Sequence, residues 1–122
     1  MKNTILNWKS NDGLNIFGQK WESETAAPKA VICLVHGFGE HSSRYEHVAQ
    51  FFTDNNYAVI AYDARGHGRS EGKRGHFVSY DEFLNDVDNL LKQADSNFPN
   101  LPKIIYGHSM GGQVVANFAI KR

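Results

Sequence analysis

Cysteine is nearly absent. The single Cys33 cannot form a disulfide within the chain, and it sits in an apolar run, where it reads as a small buried hydrophobe. Excess charge is absent too. Thirteen Lys and Arg are matched by thirteen Asp and Glu. That balance removes the electrostatic reason to expect nucleic acid or an anionic membrane surface as a partner. No stretch approaches the ~20 apolar residues of a transmembrane helix. The opening "MKNTILNWKS" lacks the apolar core of a signal peptide. A reduced, cytoplasmic setting is therefore the expectation. The 122 residues allow one domain, and no repeat, linker or low-complexity tract divides them.

What is present is an alternation of strand-like and helix-like segments. "TILNWKS" and "LNIFGQKWE" flank Asn11-Asp12-Gly13, a turn signal that predicts a hairpin with a tight turn. "AVICLV" (Ala30 to Val35), "YAVIAYD" (Tyr57 to Asp63) and "KIIYGH" (Lys103 to His108) are almost continuously apolar. Such runs read as strands buried on both faces, which suits a parallel sheet covered by helices. Ser43 with Glu46, and Ser79 with Glu82, are S-x-x-E capping patterns that predict two helix starts. The first helix carries Tyr45, Val48, Ala49 and Phe52 on one face and closes at Asn55 and Asn56. The second carries Tyr80, Phe83, Leu84, Val87, Leu90, Leu91 and Ala94. "FPNLP" is a turn, and "MGGQVVANFAIKR" reads as a third helix. The order predicts an α/β fold: an antiparallel hairpin, then a mostly parallel sheet with flanking helices.

Chemistry enters at Gly107-His108-Ser109-Met110-Gly111, which matches G-x-S-x-G. A strand that turns sharply into a helix leaves no room for side chains two residues either side of the apex, so glycine fits at Gly107 and Gly111. The serine hydroxyl then stands above the sheet at a helix N-terminus, where amide donors favour negative charge. A structural turn with an incidental serine is the competing reading, but the strand before and the helix after favour a nucleophile. Acyl transfer also needs two donors aimed at a developing oxyanion. The Met110 amide supplies one. The other is expected from "HGFGEHSSRY" after the first buried strand, at the Phe38 amide, with Gly37 and Gly39 letting that backbone come close.

"HGFGEHSSRY", "YDARGHGRSEGKRG" and "YGHSMGG", in this order and spacing, resemble the α/β-hydrolase superfamily. Within it they are most similar to the monoacylglycerol lipase and lysophospholipase group. The resemblance covers the chain from about Lys29 onward, and the hairpin fits it. It implies a serine hydrolase of carboxylic esters with lipid-like acyl chains, such as monoacylglycerols or lysophospholipids. It implies Ser109 as the nucleophile that forms an acyl-enzyme, the Phe38 and Met110 amides as the oxyanion hole, and no cofactor.

The general base is missing. In this superfamily the order is Ser, then acid, then His. Thirteen residues follow Ser109, and none is Asp, Glu or His. The chain therefore reads as the N-terminal part of a single α/β-hydrolase domain, 1–122, cut after the nucleophile helix, with the cap and C-terminal part absent. His36 and His41 are expected to hold the oxyanion loop, and the resemblance implies a structural role for His67. His47 faces along a helix, His76 lies in a loop, and His108 diverges from Ser109 at the elbow. Asp63 is expected to stabilise its loop rather than serve as triad acid. No histidine spacing or cysteine pair completes a metal site. "RGHGRSEG" lacks the ending of a phosphate loop. An acyltransferase passing the same acyl group to an alcohol, and an inactive fragment or assembly module, are the alternative readings. The third buried strand would lack its outer partner, so self-association through Lys103 to His108 is expected.

Overall fold

The computed structural model describes residues 1–36, 40–72 and 80–107. Five strands form one sheet in the order β1-β2-β4-β3-β5. Strands β1 (Lys2–Lys9) and β2 (Asn15–Glu22) make the expected antiparallel hairpin, with Lys9 opposite Asn15. Its connection is longer than a two-residue turn. Ser10 and Leu14 close it through Ser10 N–H to Leu14 O, 2.9 Å, and Leu14 N–H to Ser10 Oγ, 2.9 Å. Gly13 takes φ +88° inside the loop, a left-handed value that glycine adopts without strain. The Ser10 hydroxyl satisfies backbone that a tighter turn would have closed by itself, which explains the difference.

Strand β3 (Val31–Val35) and strand β4 (Ala58–Tyr62) are parallel and buried along their full length. Strand β4 also pairs antiparallel with β2, which joins the hairpin to the parallel part. Strand β5 (Lys103–Gly107) runs parallel to β3. Here the expectation of a third strand buried on both faces is corrected. Among the described residues β5 has a single neighbour, and its burial alternates: Ile104 is 46% and Tyr106 37% exposed. The cores under α1 and α2 draw on β2, β3 and β4, so β5 lies at the margin of both and neither of its faces is fully covered.

The two helices lie on opposite faces. Helix α2 (Tyr80–Asn97) packs Phe83, Val87, Leu90 and Ala94 onto Val31, Cys33, Val35, Ala58, Ile60 and Tyr62. Helix α1 (Glu46–Asp54) and the 3-10 turn before it (Ser42–Tyr45) pack Tyr45 and Ala49 onto Trp21, Ile32, Leu34, Val59 and Ala61. Alternate strand residues thus supply the two cores, as the period of two requires. Each buried Val, Leu, Ile or Phe side chain contributes roughly 1.5–3 kcal/mol.

The first capping pattern does not act as a cap. Ser43 lies inside the 3-10 turn, and its hydroxyl accepts from the Gln19 side-chain amide at 3.1 Å. Tyr45 precedes α1 and makes no side-chain cap. Ser79 of the second pattern lies outside the described residues, although α2 begins at the next residue. Asn55 and Asn56 end α1 as expected, Asn56 in the left-handed region at φ 67°. The expected helix over "MGGQVVANFAIKR" lies outside the described residues.

A buried ion cluster ties the hairpin turn to α2. Arg65, 5% exposed at its side chain, spends all five N–H donors. Nε and Nη2 donate to Asp86 at 2.8 and 3.0 Å; Nη1 and Nη2 donate to Asp12 at 2.8 and 3.0 Å; Nη1 also donates to Glu82 at 2.7 Å. The Arg65 fork, helped by the Ser10 hydroxyl, holds the Asp12 carboxyl well below the usual carboxylate range. Burial pushes Asp86 up, against the pull of the guanidinium. The signs differ. Asp12 adds stability above its unfolded pKa of about 4 and loses it as acid reaches its lowered value. Asp86 costs stability at neutral pH.

Two predictions follow from this packing. Arg65→Met leaves the Asp86 carboxylate buried without its partner and should cost about 3–5 kcal/mol. The double change Arg65→Met/Asp86→Leu should recover a large part of that loss in urea unfolding. A double variant no more stable than Arg65→Met would refute the account. Cys33 is fully buried, and burial pushes its thiol up to about 12. A thiol reagent at pH 8 should therefore leave Cys33 intact in the native protein and modify it within minutes in urea. Equal rates in both conditions would contradict this packing.

Candidate active site

The register brings the three motif-bearing segments to one end of the sheet. Val35, the last residue of β3, is level with Tyr62, the last of β4, and with Gly107, the last of β5. The strands are parallel, so the chain leaves the sheet side by side at Val35, Tyr62 and Gly107. This end of a parallel sheet is where α/β proteins place ligands, because the loops there converge.

Gly107 is the one expected elbow residue within the described part, and it closes β5. The nucleophile Ser109, the oxyanion residues Phe38 and Met110, and the supporting Gly37, Gly39 and Gly111 lie outside the described residues. So do His76 and His108.

The flanks of the 37–39 segment are held in detail. His36 is 1% exposed, and its Nε2 accepts the Ala64 N–H at 2.8 Å. That lone pair is committed, so His36 is a loop anchor and not a base, in line with the sequence reading. On the other flank, Ser42 donates to Asp63 Oδ1 from both N–H (2.7 Å) and Oγ (2.5 Å). Asp63 Oδ2 accepts the Arg69 N–H at 2.9 Å. Ser70 Oγ donates to the Asp63 carbonyl and accepts from Phe17 N–H at 2.9 Å. Both Asp63 oxygens are thereby occupied by backbone and hydroxyl donors, and Asp63 is 1% exposed. It stabilises its loop, as the sequence reading anticipated.

His67 lies beside His36, ring centroids 5.5 Å apart, and its Nδ1 meets the Arg65 carbonyl at 3.0 Å. His41 precedes the 3-10 turn and makes no side-chain cap; its carbonyl accepts Arg44 N–H at 3.2 Å. His47 is exposed on α1. Gly68 takes φ +51°, and a Cβ there would lie 2.3 Å from Asp63 Oδ2 and 2.8 Å from His41 Cβ. This glycine lets the β4 loop close over Asp63. Among the described residues no group of three His, Cys, Asp or Glu is placed to hold a metal ion.

Sequence reasoning missed two residues of this framework. Asp86 occupies a helix position between Phe83 and Leu90 on the apolar face of α2, and a carboxylate there signals a buried cation. Gln19 gave a fainter signal: it is a polar residue in a strand segment, Ile16 to Gln19, that turns out to be buried throughout.

The serine aminopeptidase, S33, family matches residues 26–122. A monoacylglycerol lipase of Mycolicibacterium smegmatis is 46% identical over 103 residues, 84% of this chain and 36% of that protein. The monoglyceride lipase of Homo sapiens is 39% identical over 111 residues, 91% of this chain and 36% of that protein. The chain thus spans about a third of the length of these curated relatives. Among solved structures, a thermostable carboxyl esterase from Bacillus coagulans superposes with TM-score 0.87 at 29% identity, over 99% of this chain and 41% of that one. A monoacylglycerol lipase of Paleococcus ferrophilus gives TM-score 0.71 at 33% identity, over 85% of this chain and 37% of that one. With its three strand ends level and these matches across nearly its whole length, the chain belongs to the serine aminopeptidase S33 family of α/β-hydrolases.

Proposed function

We propose that this chain carries the nucleophile half of a serine hydrolase of carboxylic esters, of the monoacylglycerol lipase or lysophospholipase type. The observation that carries the reading is the common level of Val35, Tyr62 and Gly107. It starts the oxyanion segment and the nucleophile segment from neighbouring strands, one and two residues ahead of His36 and Ser109. The relatives' names supply the substrate class: a monoester of glycerol in three of those compared.

In the proposed reaction the Ser109 hydroxyl attacks the ester carbonyl carbon. The new C–O bond pushes the carbonyl electron pair onto oxygen, where the Phe38 and Met110 amides receive it. Collapse expels the alcohol, which takes the proton that the base removed from Ser109. Water then cleaves the acyl-enzyme by the same steps. His36 has its Nε2 occupied by Ala64, and His67 has Nδ1 on Arg65. Both rings are thus engaged in holding loops, and neither is proposed as the base. Among the described residues no helix is long and apolar enough to cross a membrane. A reduced, cytoplasmic setting is part of the proposal, with Cys33 a buried free thiol.

The purified chain should hydrolyse p-nitrophenyl butyrate far more slowly than the M. smegmatis relative. Oxyanion stabilisation without base and acid leaves only about 10³–10⁴ over water. In the chain complemented with sequence that supplies base and acid, a fluorophosphonate should mark Ser109, as read by peptide mass spectrometry, and Ser109→Ala should remove the mark; the chain alone should be marked only slowly. Marking elsewhere, undiminished in Ser109→Ala, would sink the assignment. Rapid turnover abolished by Ser109→Ala would instead make one of the chain's own histidines the base.

Self-association belongs to the same proposal. Strand β5 presents an edge whose Ile104 and Tyr106 are exposed, and Tyr106 meets Phe52 at 6.2 Å between ring centroids, beside Phe51 at 62% exposure. An apolar edge of this kind recruits another strand. Light scattering should show dimers or larger species whose population rises with concentration. A monomer at all concentrations, unfolding cooperatively, would mean that the edge is covered.

A further inference from the structure

Gln19 lies on β2, outside all three motifs, yet it is 4% exposed and fully engaged. Its Oε1 accepts from Asn3 Nδ2 at 3.2 Å, and its Nε2 donates to Ser42 Oγ at 2.7 Å and Ser43 Oγ at 3.1 Å. Ser42 Oγ in turn donates to Asp63 Oδ1. The bonds run in one direction, Asn3 to Gln19 to Ser42 to Asp63. Because the Ser42 proton is committed to Asp63, only a donor can satisfy Ser42 from the β2 side. A carbonyl or carboxylate in place of the Gln19 amide would face a lone pair.

This chain fixes one flank of a short segment. His36 is held by Ala64 N–H and Ser42 by the Asp63 carboxyl, and Asp63 and Ala64 are consecutive. Residues 37–41 are thus bracketed by two anchors on one dipeptide. Fixing the two ends of a short segment is a general way to lower the entropy cost of ordering it. Removing the donor at Gln19 frees Ser42 to turn away from Asp63 and loosens one anchor. An amide buried at a strand position costs free energy unless its bonds are made. Here they are made to the segment that is proposed to carry an oxyanion donor.

We propose that Gln19 is a positioning residue for the oxyanion segment, acting through Ser42 and Asp63. The inference rests on the proposed role of Phe38, and its test separates the two. Gln19→Met fills the same space without a donor. In the ¹⁵N-labelled chain it should move the amide resonances of residues 37–39 as well as those of Ser42, Ser43 and Arg69. Those of residues 88–97 should stay. In the chain complemented with base and acid, phosphonylation of Ser109 should slow at least about tenfold per folded molecule, a loss near 1.4 kcal/mol of transition-state stabilisation. Val87→Ala, which weakens the opposite core, should lower stability and leave that rate unchanged. Gln19→Glu should behave like Gln19→Met at pH 8 and regain the wild-type resonances on acidification, because a protonated carboxyl donates as the amide does. A space-filling role predicts no such recovery. Should Gln19→Met fail to fold, Gln19→Glu at two pH values carries the test. Unmoved resonances at 37–39 overturn the positioning role. Moved resonances with an unchanged Ser109 rate uphold the link to the segment and overturn its assignment as oxyanion loop.

Discussion

A carboxyl group taken out of water must find donors, and Asp63 finds them in the two loops that follow β3 and β4. Its oxygens accept from Ser42 twice and from Arg69, and its carbonyl accepts from Ser70. The side chain therefore acts as a template. Ser42 belongs to the segment after β3, and Arg69 and Ser70 to the segment after β4. Neither segment has a regular ladder of its own at that point, so their backbone donors would be unsatisfied without it. The exposed Gly68, with no Cβ to strike Asp63, is the concession that lets the second loop close.

A second buried charge does a different task. Arg65 lies two residues from Asp63 but points to the other side of the sheet, toward Asp12, Glu82 and Asp86. The Asp63 network is made of neutral donors around one carboxyl and orients loops. The Arg65 cluster places one cation among three carboxylates and clamps elements: the hairpin turn, the β4 loop and α2. Lysine could not substitute, since five N–H bonds in a planar fork are in use and an ammonium offers three. The loop after β4 is thus held from both faces of the sheet. That accounts for the burial of Asp63, Arg65, His67 and Ser70 in a connecting segment, where exposure is the rule.

The elements were largely legible in the sequence because their signals are local. "AVICLV" and "YAVIAYD" are unbroken apolar runs, and both are strands within one residue of the expected ends. The face of α2 was legible from spacing alone: Phe83, Leu84, Val87, Leu90 and Ala94 are all buried. Three things were not. The burial of β5 depends on what packs over its faces, and "KIIYG" has the same composition at the margin of the helix layers as beneath them. The S-x-x-E pattern at Ser43 names a helix start, but the Ser43 hydroxyl had a competing donor in Gln19, 24 residues away in sequence. The roles of Gln19 and Arg65 come from contacts 23 and 21 residues away in sequence, to Ser42 and Asp86. No window of neighbouring residues contains such a pairing.

The motifs themselves were legible for a physical reason that the fold makes plain. A site built at the ends of parallel strands draws each part from a separate strand-to-helix connection. Each connection needs its own glycines and polar anchors, and each is short enough to be read whole. Val35, Tyr62 and Gly107 stand level, so three such connections start side by side although 27 and 45 residues separate their starting points along the chain. Parallel pairing sets that level, and parallel pairing is itself imposed by the crossover helices α1 and α2 on opposite faces. The hairpin, which carries no motif, enters the site by way of β2: it pairs with β4 and extends Gln19 across to Ser42. The placement of Ser42 beside Asp63 thus depends on a strand that a search for motifs passes over, because a loop is only as well placed as the buried hydrogen bonds that fix its ends.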